Sequence, residues 1–113
     1  MTIEEHAVPS VRAAQSKSGT KTGKYTDKNG KVLWSVTVSG TFTHNGTSAS
    51  CTKSSVSILV ASINWTVSDQ SAWRSGATAY ASAIGHEKNS LGQEMRTLYR
   101  QVSLTCSPEG KLS

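Results

Sequence analysis

The chain of 113 residues is poor in most of what builds enzymes and membrane spans. Hydrophobic residues make up 35%, aromatics 6% and charged residues 17%, with two prolines and two cysteines, all lean against an average domain. A core that lean, in a single-domain length, leaves little volume for a deep cleft, so a two-domain enzyme is not expected. No apolar run approaches the roughly 18 residues that a membrane-spanning helix needs. Cys51 and Cys106 lie 55 residues apart, too far for a redox or zinc motif, and His6, His44 and His86 have no metal-ligand spacing. No metal and no cofactor is expected.

What fills the gap is hydroxyl: 32 positions, 19 Ser and 13 Thr. Such a composition fits disorder or β-structure, and spacing decides between them. Trp34, Val36, Val38, Gly40 and Phe42 occupy one parity, and Ser35, Thr37, Ser39, Thr41 and Thr43 the other. Disorder has no reason to hold that alternation, whereas a half-buried strand requires it. Asn29-Gly30 and Asn45-Gly46 supply residues that accept the positive φ of hairpin turns. Strands are expected near 23–27, 31–43, 47–52, 56–67, 76–86 and 94–106. The fold class is therefore all-β: a small antiparallel β-sandwich, immunoglobulin-like in size, with six or seven strands. Two segments compete with this reading. Trp73, Ala77, Tyr80 and Ile84 fall at helical spacing, as do Leu91, Met95, Leu98 and Val102. Gly76 and Gly92 and the β-branched residues weigh for strand in both, and helices there would make the fold α+β. Residues 1–22, with Glu4, Glu5, Pro9 and hardly any large apolar residue after Val11, read as a flexible leader ahead of a single domain over 23–113.

Both cysteines sit in strand-like runs, and a disulfide closing their loop would contribute about 4 kcal/mol in the chain-entropy model. The reading is one disulfide, Cys51 to Cys106, and with it an oxidising compartment and a secreted or surface location; the alternative is two buried thiols. Met1–His6 has neither a basic start nor an apolar stretch, so either export is non-standard or, the preferred reading, Met1 is a start placed ahead of a mature form.

Several of these residues together carry a resemblance: Tyr25-Thr26-Asp27, Asn29-Gly30, the alternation from Trp34 to Phe42, Asn45-Gly46, Cys51, and the close from Ser103-Leu104-Thr105-Cys106 to Ser113. Over residues 24–113 the chain resembles small Ser/Thr-rich secreted proteins of Gram-positive bacteria, notably gut clostridia, with two cysteines and no assigned function. The resemblance implies export and a β-fold, and it transfers no active site.

Nucleophilic catalysis needs a base oriented beside a Ser, Thr or Cys. His6 lies in the leader, His44 in a hairpin turn, and His86 beside Glu87 at a strand end, where a solvated histidine is the simplest reading; no Gly-x-Ser-x-Gly elbow accompanies it. Asp27, Asp69, Glu87, Glu94 and Glu109 are scattered and offer no carboxylate pair. The chain is not expected to be an enzyme. A net charge of +5 favours anionic polymers or membranes, with no motif for a specific nucleic acid. Arg96, Leu98, Arg100 and Val102 share one parity, so a bulge or an exposed basic stripe is expected there. Among the aromatics, Trp34 is core by parity with Val36 and Val38, and Trp65 by parity with Leu59, Ala61, Ile63 and Val67. Trp73, followed by Arg74 in the loop beginning at Ser68, is the exposed one. The function expected is that of a secreted, non-enzymatic binding module for an extracellular glycan or protein, with Trp73, Arg74, Arg96 and Arg100 as ligand contacts. The alternative is a small basic effector acting on membranes or anionic envelope polymers, and an open edge strand offers a route to a homodimer.

Overall fold

The computed structural model describes residues 13–113. It is all-β: β1 Gln15–Thr26, β2 Val32–His44, β3 Ala49–Val60, β4 Trp65–Ser75, β5 Thr78–Lys88 and β6 Glu94–Thr105. These form two antiparallel three-stranded sheets in the orders β1-β2-β3 and β4-β5-β6. Both helical alternatives are gone. Gly76 at φ 58° and Gly92 at φ 80° turn the chain where a helix would have had to continue; Trp73–Ile84 straddles the β4–β5 hairpin, and Leu91–Val102 runs from the β5–β6 turn into β6.

The central strands β2 and β5 supply most of the core, and they divide the work by size. Trp34, Val36, Val38 and Phe42 of β2 are fully buried, as are Ala79, Ala81 and Ala83 of β5. One buried cluster joins them to Trp65, Val102, Leu104 and both cysteines. Large side chains from one sheet meet small ones from the other. A Cβ on Gly85 would come within 2.5 Å of the Trp34 ring, and one on Gly40 within 2.9 Å of the Ala79 methyl. The low hydrophobic fraction is thus economical: one strand of bulky residues is enough when the facing strand is alanine and glycine. Among the described residues Trp34 Nε1 is buried with no acceptor, a cost that the packing of the ring must offset.

Several sequence expectations need correction. The first strand begins at Gln15, inside the stretch read as leader, because β2 pairs every residue from Gln15 to Lys24 in unbroken register; residues 1–12 lie outside the described residues. The strands expected at 47–52 and 56–67 are instead β3, which runs continuously from Ala49 to Val60, and β4, which starts at Trp65. Trp65 is buried, but Ile63 is fully exposed in the connecting turn and Leu59 is 62% exposed. Cys51 and Cys106 are buried free thiols. Each thiol lies near a main-chain carbonyl, Lys53 O and Ser107 O, both at 3.3 Å, and burial raises the Cys106 pKa. They behave as small core residues flanking the β4–β5 turn: Cys51 N–H donates to Gly76 O and Cys106 N–H to Ala77 O.

The outer strands β1 and β6 carry Lys17 and Lys21 opposite Phe42 and Val38, and Arg96 and Arg100 opposite Glu87 and Ala83. These cations lie on the inward parity of edge strands, a placement that discourages pairing with another chain.

Candidate functional site

The two sheets present outer faces of different chemistry. On β1-β2-β3 the register aligns Ser18, Thr41 and Lys53 in one row and Thr20, Ser39 and Ser55 in the next. Neighbouring hydroxyls bond one another, Ser18 to Thr41 at 3.2 Å, Thr22 to Thr37 at 2.8 Å and Thr43 to Ser50 at 3.1 Å. Between the two rows lies a shallow cavity of about 260 Å³ floored by Gly19 and Gly40.

The outer face of β4-β5-β6 carries rings and ionisable groups. Trp73 and Tyr80 are cross-strand partners and stack with centroids 5.2 Å apart and planes 6° apart. Trp73 is 38% exposed, so the exposure expected of it holds, although it stands on a strand and not in a loop. Next along the face come Ser71, Ser82 and Gln101 in one row, then Ile84 beside Tyr99, whose hydroxyl donates to Gln101 Oε1 at 3.0 Å.

The arginines expected to join Trp73 are elsewhere. Arg74 Nη1 donates to Cys51 O at 3.2 Å and ties β4 to β3. Arg96 and Arg100 sit on the opposite side of their sheet: both guanidiniums lie over the Tyr25 ring, at 5.8 and 5.7 Å, and Arg96 also over Trp65 at 5.7 Å. Arg100 Nη2 donates to Lys24 O at 3.1 Å. Arg96 Nε donates to Glu87 at 2.9 Å, and this carboxylate holds its pKa above the ordinary value. Their stacking on rings explains how a basic stripe can follow the parity of Val102 without a buried bare charge.

Six residues along β5 from Tyr80, about 20 Å at strand rise, the same outer face carries a group that sequence reading did not assemble. His86 Nε2 is 2.6 Å from Ser68 Oγ, and His86 Nδ1 is 2.7 Å from Glu94 Oε1. Thr97 donates its hydroxyl to the other Glu94 oxygen at 2.7 Å. The Glu94 carboxyl is held below its ordinary pKa, first by Thr97 and then by His86. The pairing between β4 and β5 slips between Ser68 and Ser71, and Asp69 in that bulge takes φ 54°, a conformation Asp tolerates better than most residues. The Ser68 hydroxyl also lies 3.3 Å from Asp69 Oδ2. Outer parity of His86 with Ile84 and Tyr80 was visible in the sequence; its diagonal neighbour on β4 and its carboxylate on β6 were not.

At the end of the molecule where Lys88 N–H donates to Asn64 O, Ile63, Leu91 and Met95 are exposed at 101%, 80% and 60%. No family model, curated protein or solved structure matches the chain.

Proposed function

We propose that the two sheets stack as a small β-sandwich, and that the domain acts outside the cell by binding a glycan across the outer face of β4-β5-β6. The observation that carries this reading is the stacked Trp73–Tyr80 pair, with Trp73 exposed beside Ser71 and Gln101, which flank the buried Ser82 in one row. Sugar rings offer C–H faces to aromatic rings and hydroxyls to amides, and this surface supplies both partners side by side. With Cys51 and Cys106 as thiols, export is supported by the resemblance to Ser/Thr-rich secreted chains and no longer by an oxidised pair. A glycan array comparing wild type with Trp73→Ala tests the reading. Loss of an aromatic contact worth about 0.5–1.5 kcal/mol lowers affinity by about two- to tenfold, and identical binding profiles would rule the platform out.

A second reading, a basic domain that sits on anionic membranes, rests on the apolar end. Ile63, Leu91 and Met95 protrude there, and Lys88 lies beside them, its amide bonded to Asn64 O. Exposed apolar side chains next to lysine suit an anionic lipid surface. Sedimentation with phosphatidylserine vesicles should pull down wild type and leave Ile63→Ser/Leu91→Ser in solution; equal recovery of the two ends this reading.

A further inference from the structure

We propose that Ser68, His86 and Glu94 form a catalytic relay in which Ser68 is a nucleophile toward carboxylic esters. In a chain with 32 Ser and Thr side chains, a serine beside a histidine is unremarked. Here, however, both imidazole nitrogens are engaged, with a hydroxyl at 2.6 Å on one side and a carboxylate at 2.7 Å on the other. That order fixes the tautomer. A carboxylate can only accept, so Nδ1 carries the proton of the neutral ring and Nε2 presents its lone pair to the Ser68 O–H. The contact with Asp69 at 3.3 Å is the longer of the two open to the Ser68 hydroxyl, so the proton goes to Nε2. Glu94 is itself held by the Thr97 hydroxyl at 2.7 Å, which orients the carboxylate that orients the ring.

Three strands contribute one residue each, and the register brings them together. His86 stands opposite Thr66 on β4 and Thr97 on β6, Ser68 stands opposite Ile84, and Glu94 begins β6. Beside Ser68, Asp69 and Gln70 fall outside the ladder with β5. Their backbone N–H groups, released from that ladder, are the donors the proposal assigns to an oxyanion formed at Ser68.

The reaction balances without a cofactor. Ser68 Oγ attacks the ester carbonyl carbon as its proton passes to Nε2, and Glu94 stabilises the imidazolium. The C–O bond to the alcohol then breaks, and Nε2–H protonates the departing oxygen. Water attacks the acyl-serine and gives a proton to Nε2; as the carboxylic acid leaves, that proton returns to Ser68 Oγ. The site is open, with the His86 side chain 21% and that of Glu94 49% exposed, which suits an acyl group displayed on a larger molecule.

The test is covalent labelling with a fluorophosphonate, followed by mapping of the modified serine by mass spectrometry, together with hydrolysis of p-nitrophenyl acetate. The probe carries no sugar, so the result is independent of the glycan reading. Expected is modification at Ser68 at least tenfold faster than at any other serine, and its reduction to the level of those serines in His86→Gln. Removing a general base costs about 10²–10⁴-fold, and Glu94→Gln should fall between wild type and His86→Gln in both assays. Thermal melts of each variant separate loss of the relay from loss of the fold. Folded wild type and folded His86→Gln labelling at the same rate, or labelling spread evenly over the serines, would overturn the proposal and leave the three residues as a structural network only.

Discussion

The two outer faces start from the same Ser/Thr background and the same strand geometry, yet they differ in what can be exchanged. On β1-β2-β3 the side chains are mostly hydroxyls bonded to hydroxyls, as in Ser18–Thr41 and Thr22–Thr37, and either member can donate. Partners of that kind are nearly interchangeable with water, and each bond contributes little net stability. On β4-β5-β6 the same pattern is interrupted by Trp73, Tyr80, His86 and Tyr99, whose partners are specific: ring on ring, and imidazole between hydroxyl and carboxylate. A face made mostly of hydroxyls, with Lys53 among them, keeps a lean domain solvated, whereas a few residues with directional chemistry turn an equivalent face into a candidate site.

The contrast can be sharpened with acid. Glu94 is held below its ordinary pKa by Thr97 and His86, so the folded state binds its proton less readily than the unfolded chain does. The stability it contributes is complete above the ordinary carboxylate value and is lost as the pH falls through the lowered one. His86, Lys88 and Thr97 are the groups that act on it. Thermal midpoints of wild type and Glu94→Gln should therefore differ above about pH 5 and converge as the pH falls below the ordinary carboxylate range and Glu94 takes up its proton. Parallel curves down to pH 2.5 would show that Glu94 is not so coupled, and the second face would lose its distinctive electrostatics.

A smaller effect is expected on the first face. Thr22→Ala removes the 2.8 Å bond to Thr37 at an exposed position, and the cost should stay within about 0.5 kcal/mol. Urea unfolding measures it; a loss above about 1.5 kcal/mol would mean that the hydroxyl ladders hold the sheet as firmly as core contacts do.

How much of this was legible depends on which partner a residue needs. Strand β2 could be read from its own alternation, since Trp34, Val36, Val38 and Phe42 need only a core on one side. Strand β1 could not, because Gln15–Thr22 has no apolar parity and becomes a strand only through its pairing with β2. The run from Val56 to Val67 hid the break at residues 61–64, because Leu59 and Ile63 look like core residues and are exposed. Trp73 was read correctly as exposed. The arginines grouped with it were misplaced, because sequence proximity and charge do not reveal that Arg96 and Arg100 lie over Tyr25.

The sequence by itself determined an all-β chain with a hydroxyl half that mostly faces water, Ser35 and Ser82 being buried, because a period of two is a local property that each strand carries alone. Only the tertiary structure decided which hydroxyls matter. Ser68 and His86 are 18 residues apart, and His86 and Glu94 are 8 apart; their contact depends on strand register and on one bulge, which are set by pairing across the whole sheet. The fate of the cysteines was decided in the same way, since burial beside the β4–β5 turn made them core thiols where spacing alone allowed a bridge.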